Sequence, residues 1–138
     1  LAQTAIRLGN IDAAIQSVEN AKLAAPFDIG VAFQLGLLYY QKGNMDRAQQ
    51  EFERAISMNE QYANARYFLG LIHDRKKDPT RALEEFGRIA ATNPDNQEVK
   101  RIIANIKAGK PALESIVPPA VPPQQRTDVP VREPERSR

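Results

Sequence analysis

The stretch AFQLGLLYYQKGNMDRAQQEFERAI, residues 32–56, returns 34 positions later as RYFLGLIHDRKKDPTRALEEFGRIA, residues 66–90. No residue is inserted or deleted between the copies. Leu35-Gly36 falls on Leu69-Gly70, Asn44 on Asp78, Ala48 on Ala82 and Phe52 on Phe86. One period upstream, Asn10, Ala14 and Val18 hold the places of Asn44, Ala48 and Phe52. A fixed period of this length marks stacked helical units, each burying its apolar face against its neighbours. The expected fold is an all-α solenoid of helix-turn-helix units.

Residues 29–62 form the first complete unit. Ala32, Leu35, Gly36 and Tyr39 follow helical spacing and make one buried stripe. Gly43-Asn44 breaks that helix, because glycine accepts a left-handed backbone and asparagine caps the next N-terminus. A second stripe follows at Ala48, Phe52, Ala55 and Ile56. Residues 63–96 repeat the plan. Asp78 is the expected cap there and Pro79 takes the first helical position, where its missing N–H costs nothing. Gly36 and Gly70 are expected to let the two helices of a pair approach closely. Gly87, inside a helix, costs about 1 kcal/mol relative to alanine with no visible compensation.

By phase, Leu1 corresponds to Leu35, so the chain is expected to open in the middle of a first helix that continues upstream. Residues 1–28 then read as a partial repeat, half of a first helix followed by a second from Ile11 to Ala24. Residues 97–108 read as a lone amphipathic capping helix, with Ile102, Ile103 and Ile106 on one side, ended by Gly109 and Pro111. The array thus covers 1–110. Beyond it, seven of the ten prolines fall in the last 28 residues, so 111–138 is expected to be a disordered, proline-rich tail that folding does not need, with docking through Ile116-Val117 or the prolines into the groove as the lesser alternative.

Composition narrows the function. Residues 1–110 carry 15 Lys/Arg against 13 Asp/Glu, and 111–138 carry four of each. That is not the clustered basic footprint of a phosphate-binding surface, and nucleic acid is not an expected partner. A mean hydropathy of -0.49 and the short uncharged run from Ile29 to Gln41 argue against direct membrane insertion of this segment. The chain has no cysteine, which removes disulfides and thiolate chemistry. The single histidine, His73, has no second imidazole to share a metal, and it reads as a packing residue. Arg75-Lys76-Lys77 reads as a solvated last turn favoured by the helix dipole. Pro119 to Pro122 has PxxP form but reads as spacer. No phosphate loop, carboxylate pair or nucleophile with a base occurs at usable spacing, so neither an enzyme, a cofactor nor a metal site is expected.

Leu35, Gly36, Tyr39, Ala48, Phe52 and Ala55, followed by Leu69, Gly70, Ala82, Phe86 and Pro94, resemble the tetratricopeptide repeat pattern. Glu60 stands where that pattern often has proline, and His73 where it has tyrosine. The resemblance covers residues 1–108 and implies a right-handed superhelix whose first helices line a concave groove for peptides or proteins. The strings from Tyr62 to Gly70 and from Ala108 to Glu114 also resemble C-terminal repeat modules of large bacterial proteins, some membrane-embedded.

On that plan the groove-facing positions are Phe33, Leu37, Tyr40 and Gln41 in one unit and Asn64, Tyr67, Leu71, Asp74 and Arg75 in the next, with Arg101 and Asn105 from the capping helix. Phe33, Tyr40 and Tyr67 would anchor an extended, partly apolar segment. Asn64 and Asn105 would hold its backbone, since amides both donate and accept. Arg75 and Arg101 would pair with an acidic group. One subfamily grips a C-terminal carboxylate with lysine, asparagine and arginine. Tyr67 and Leu71, and Gln3 in the first unit, occupy the corresponding places, so that clamp is not expected here. Two functional classes remain: a protein- or peptide-binding module, and a structural spacer of a larger protein.

Overall fold

The computed structural model describes residues 2–114 and 116, with backbone alone for 2–8. The expectations for Leu1, the Gln3 side chain, the Pro119–Pro122 string and the tail from 117 onward therefore lie outside the described residues. Six α-helices follow in order: α1 Ala2–Ala24, α2 Ile29–Lys42, α3 Met45–Met58, α4 Ala63–Arg75, α5 Pro79–Thr92 and α6 Gln97–Lys107. No strand occurs among the described residues. The chain divides into two compact units, Leu1–Glu60 with α1–α3 and Gln61–Arg138 with α4–α6.

Local chemistry marks most boundaries. Asp28, Asn44, Asp78 and Asn96 each accept a hydrogen bond from the backbone N–H three residues on, at 3.0–3.2 Å, and so start α2, α3, α5 and α6. Pro79 opens α5 as expected. Three helices end through a left-handed residue: Gly43 after α2, Lys77 after α4 and Gly109 after α6. At each, the next amide reaches back five residues, from Asn44 to Tyr39, Asp78 to His73 and Lys110 to Asn105. Lys77 does without glycine's freedom, at a cost of about 1 kcal/mol.

The helix pairs are held by one repeated contact. The Phe52 ring of α3 lies against the backbone of α2 at Gly36, where a Cβ would come within 2.7 Å of a ring carbon. Phe86 of α5 stands in the same relation to Gly70 of α4. Leu35, Ala48 and Ala55 complete the first core, joined by Ile15 and Val18 of α1. In the second unit Leu69, Ala82, Ile89, Val99 and Ile102 are buried around Phe86.

Two expectations are corrected. The turn expected at Gly9-Asn10 is absent, because α1 runs unbroken from Ala2 to Ala24. Continuing the helix pairs the backbone groups of Gly9 and Asn10 within it, where a turn would leave some of them to solvent. The array also does not stop at 110. Ala112 is 2% and Ile116 6% exposed, so the beginning of the expected tail belongs to the second unit.

Glycine substitutions separate packing from propensity. Gly70→Ala should lower the unfolding free energy by about 1–3 kcal/mol, because the added methyl must displace the Phe86 ring. Gly87→Ala, facing open space on α5, should raise it by about 1 kcal/mol. Urea unfolding followed by circular dichroism measures both, and the signs should be opposite.

Candidate functional site

Polar groups inside each unit come first, since they decide which side chains remain available to a partner. In the first unit the Tyr39 hydroxyl donates to Glu19 Oε2 at 2.6 Å, and Arg47 Nη2 donates to the same oxygen at 3.1 Å. The Arg47 guanidinium also lies 5.0 Å from the Tyr39 ring centroid. Glu51, 2% exposed, is met by Lys22 Nζ at 2.9 Å and by Arg54 Nε at 3.2 Å. Arg54 Nη1 continues to the Pro26 carbonyl at 2.8 Å. This network ties α1 to α3 past the edge of α2.

The hydrogen bond from Tyr39, with Lys22 and Arg47 nearby, holds the Glu19 carboxyl below the usual range. Burial, and then its bond to Glu19, raises the Tyr39 phenol. The Arg47 guanidinium is raised chiefly by its contact with the Tyr39 hydroxyl.

In the second unit Arg66 Nη1 donates to Glu85 at 2.6 Å. Tyr67 is fully buried. Its ring meets Phe68 and Phe86 edge-on at 5.5 and 5.7 Å, and its hydroxyl donates to Glu98 Oε2 at 2.5 Å. The Tyr67–Glu98 bond joins α4 to α6. Every residue of α4 from Ala63 to His73 is buried, which accommodates His73 as a packing residue.

At the far end of these two helices lies a different arrangement. Asn105 Nδ2, on the last turn of α6, donates to the carbonyls of Ala112 at 3.0 Å and Glu114 at 2.6 Å. Asp74 Oδ2, near the end of α4, accepts from the Ala112 N–H at 3.2 Å. Two side chains thus hold three main-chain groups of one short segment.

The expected groove residues divide accordingly. Asp74 and Asn105 come together on a backbone, as amide and carboxylate chemistry allows, but the backbone is the chain's own. Arg75, Arg101 and Gln41 are exposed, and Phe33 and Leu37 are half-buried, with the Phe33 ring 5.7 Å from that of Phe52. Tyr67, Asn64, Leu71 and Tyr40 are buried, which corrects the expectation of exposed anchors at Tyr67 and Tyr40. Helical spacing gives the angle of a side chain about its helix but not what covers that angle. For Tyr67 the cover includes Phe86 of α5 and Glu98 of α6. Sequence reading missed Glu98 and Glu51, and it set docking through Ile116 below disorder of the tail. The one available signal for that docking was a pair of apolar residues, Ala112 and Ile116, four apart at the edge of the proline-rich stretch.

Residues 33–97 match the family model described as a tetratricopeptide repeat. The repeats within those residues are tetratricopeptide repeats. The fold agrees: the crystal structure of MamA protein superposes with a TM-score of 0.68 at 24% identity, covering 79% of this chain and 60% of that one. The first tetratricopeptide repeat domain of Spaghetti, bound to the HSP90 peptide SRMEEVD, gives 0.69 at 18% identity, covering 78% and 85%. A tetratricopeptide repeat protein from Parabacteroides merdae gives 0.67 at 19%, covering 75% and 41%. At these identities the likeness is one of fold, and the chain spans 60% of the length of that MamA chain. No curated protein matches it in sequence. Tetratricopeptide repeats are general protein-interaction modules. Among the described residues no helix is long and apolar enough to cross a membrane, and no cluster of side chains could hold a metal ion.

The burial of Tyr67 makes it a stability residue. Tyr67→Ala should cost about 3–5 kcal/mol, as expected for emptying a buried aromatic site. Tyr67→Phe, which keeps the ring but removes the hydrogen bond to Glu98, should cost roughly 1–2 kcal/mol. Thermal or urea unfolding distinguishes the two.

Acid should loosen the first unit through Glu19. A carboxyl with a depressed folded pKa contributes stability above its unfolded value, near 4.5, that is lost as pH falls through the folded one. Stability measured by urea unfolding should therefore decline below about pH 5, and Glu19→Gln should flatten part of that decline.

Proposed function

We propose that this chain is a protein-binding module that takes a partly apolar segment of another protein on the face shared by α4 and α6. The observation that carries the reading is the capture of main-chain groups by Asp74 and Asn105. Side chains that bind a backbone through charge and amide recognise a peptide with little dependence on its sequence. Arg75 and Arg101, exposed on the same two helices, would pair with an acidic residue of the ligand. In the first unit, Phe33, Leu37 and Gln41 keep accessible surface on α2 and would form a contact surface of their own.

A C-terminal carboxylate is a poor ligand on this reading. The position that would need a cation holds Tyr67, whose hydroxyl is committed to the Glu98 carboxylate. A second anion there would be repelled and could not reach the buried phenol. A spacer role has one observation in its favour: Ala112 and Ile116 bury apolar surface and so help to close the second unit.

Selection from a random peptide library against the full chain tests the binding reading. Recovered peptides should be partly apolar, and Asp74→Ala should weaken them about tenfold, the worth of one charge-assisted hydrogen bond. SRMEEVD should give no saturable titration. Failure to recover any peptide sensitive to Asp74, Arg75, Arg101 or the α2 face would leave the spacer reading in its place.

A further inference from the structure

Gly109 sets the path of the chain after α6. Its left-handed backbone, φ +75°, lets the Gly109 N–H reach the Ile106 carbonyl at 3.0 Å and the Lys110 N–H reach the Asn105 carbonyl at 2.8 Å. The chain reverses there and lays residues 111–116 beside the ends of α4 and α6. The segment is itself turned, with Glu114 N–H on the Pro111 carbonyl at 3.0 Å and Ile116 N–H on the Leu113 carbonyl at 3.3 Å.

What the segment offers to the site is specific in kind. It meets Asp74 and Asn105 through main-chain groups, one N–H and two carbonyls. Among its described residues, Ala112 and Ile116 are buried, while Leu113 and Glu114 are exposed. The site therefore reads a backbone plus a small residue and a branched aliphatic residue four positions apart. Nothing in that pattern is peculiar to these residues. Any chain with the same spacing satisfies it.

Resting on the binding reading above, we propose that residues 112–116 are a displaceable internal ligand. They occupy the Asp74–Asn105 site in cis, and a partner segment with a small residue followed four positions later by a branched aliphatic one takes their place. The short connection from α6 gives the internal segment a high effective concentration, so that it excludes weak competitors. Its hold is three hydrogen bonds and two apolar side chains, well short of what holds α4 or α6. Opening can thus occur without unfolding the unit. Once open, the Asn105 amide and the Asp74 carboxylate are directed at the space the segment has left.

The test uses the full chain and a labelled peptide of residues 109–117, acetylated and amidated at its ends. By fluorescence anisotropy, Ile116→Asp should bind this peptide at least tenfold more tightly than the unmodified chain, on the order expected when internal competition is removed. Adding Asn105→Ala should abolish the gain. A folded Ile116→Asp chain that binds no better overturns cis occupation, while library peptides that still bind the unmodified chain would leave the interaction-module reading standing. Hydrogen exchange on the unmodified chain decides the matter even if that variant fails to fold. The Ala112 amide should exchange at least about a hundredfold faster than those of Ile72 and Ile102, as local opening requires. Equal protection would make 112–116 an integral part of the unit and end the proposal.

Discussion

An aromatic ring pressed on a glycine backbone is the contact on which the rest of this structure depends. Phe52 on Gly36 and Phe86 on Gly70 set how near the two helices of each pair can come, and so where every other side chain of the pair meets its neighbour. The ring takes the space a Cβ would need, and the flanking Leu35 and Leu69 are buried beside it. Close-packed interiors transmit such a constraint, because a shift of one helix by a methyl group must be absorbed by all the residues between. The 34-residue period is the sequence image of this contact repeated.

The turns preserve that geometry from outside. Asn44 and Asp78 begin their helices with the same side-chain bond to the backbone, and Gly43 and Lys77 end the preceding ones with the same reversal. That Lys77 adopts a conformation glycine would hold more easily indicates that packing on either side determines the turn. Gly109 uses the reversal differently. After it the chain returns to α4 and α6, where Asp74 and Asn105 receive it. A device used twice to stack helices is used the third time to place a peptide on the surface of its own unit.

Buried polar pairs supply what the apolar stripe cannot, namely the angular position of the outer helices. Glu19, Tyr39, Arg47 and Glu51 link α1 to α2 and α3, and the Tyr67–Glu98 bond links α4 to α6. Such groups are costly if left unpaired, so each disfavours rotations of its helix that would break it. The same commitment removes Tyr67 from any ligand surface. Of the residues expected to meet a ligand in the second unit, Arg75 and Arg101 stay exposed and Asp74 half-buried, while Asn105 is buried on residues 112 and 114.

Taken alone, the sequence determined the helical units, their period, the capping residues and the Leu-Gly positions where helices touch. These depend on spacing within one helix or on a turn of a few residues. It also placed Asn105 among the groups able to hold a backbone, whereas Asn64, given the same role, is buried and Asp74 took it instead. Only the tertiary structure decided that α1 continues through Gly9-Asn10, that Tyr67 is covered by Phe86 and Glu98, and that residues 112–116 return to the second unit. The last two of those outcomes turn on partners remote in sequence. A helical period records which side of a helix is apolar, but whether that side meets a neighbouring helix, a returning segment or solvent is decided by packing free energies between elements.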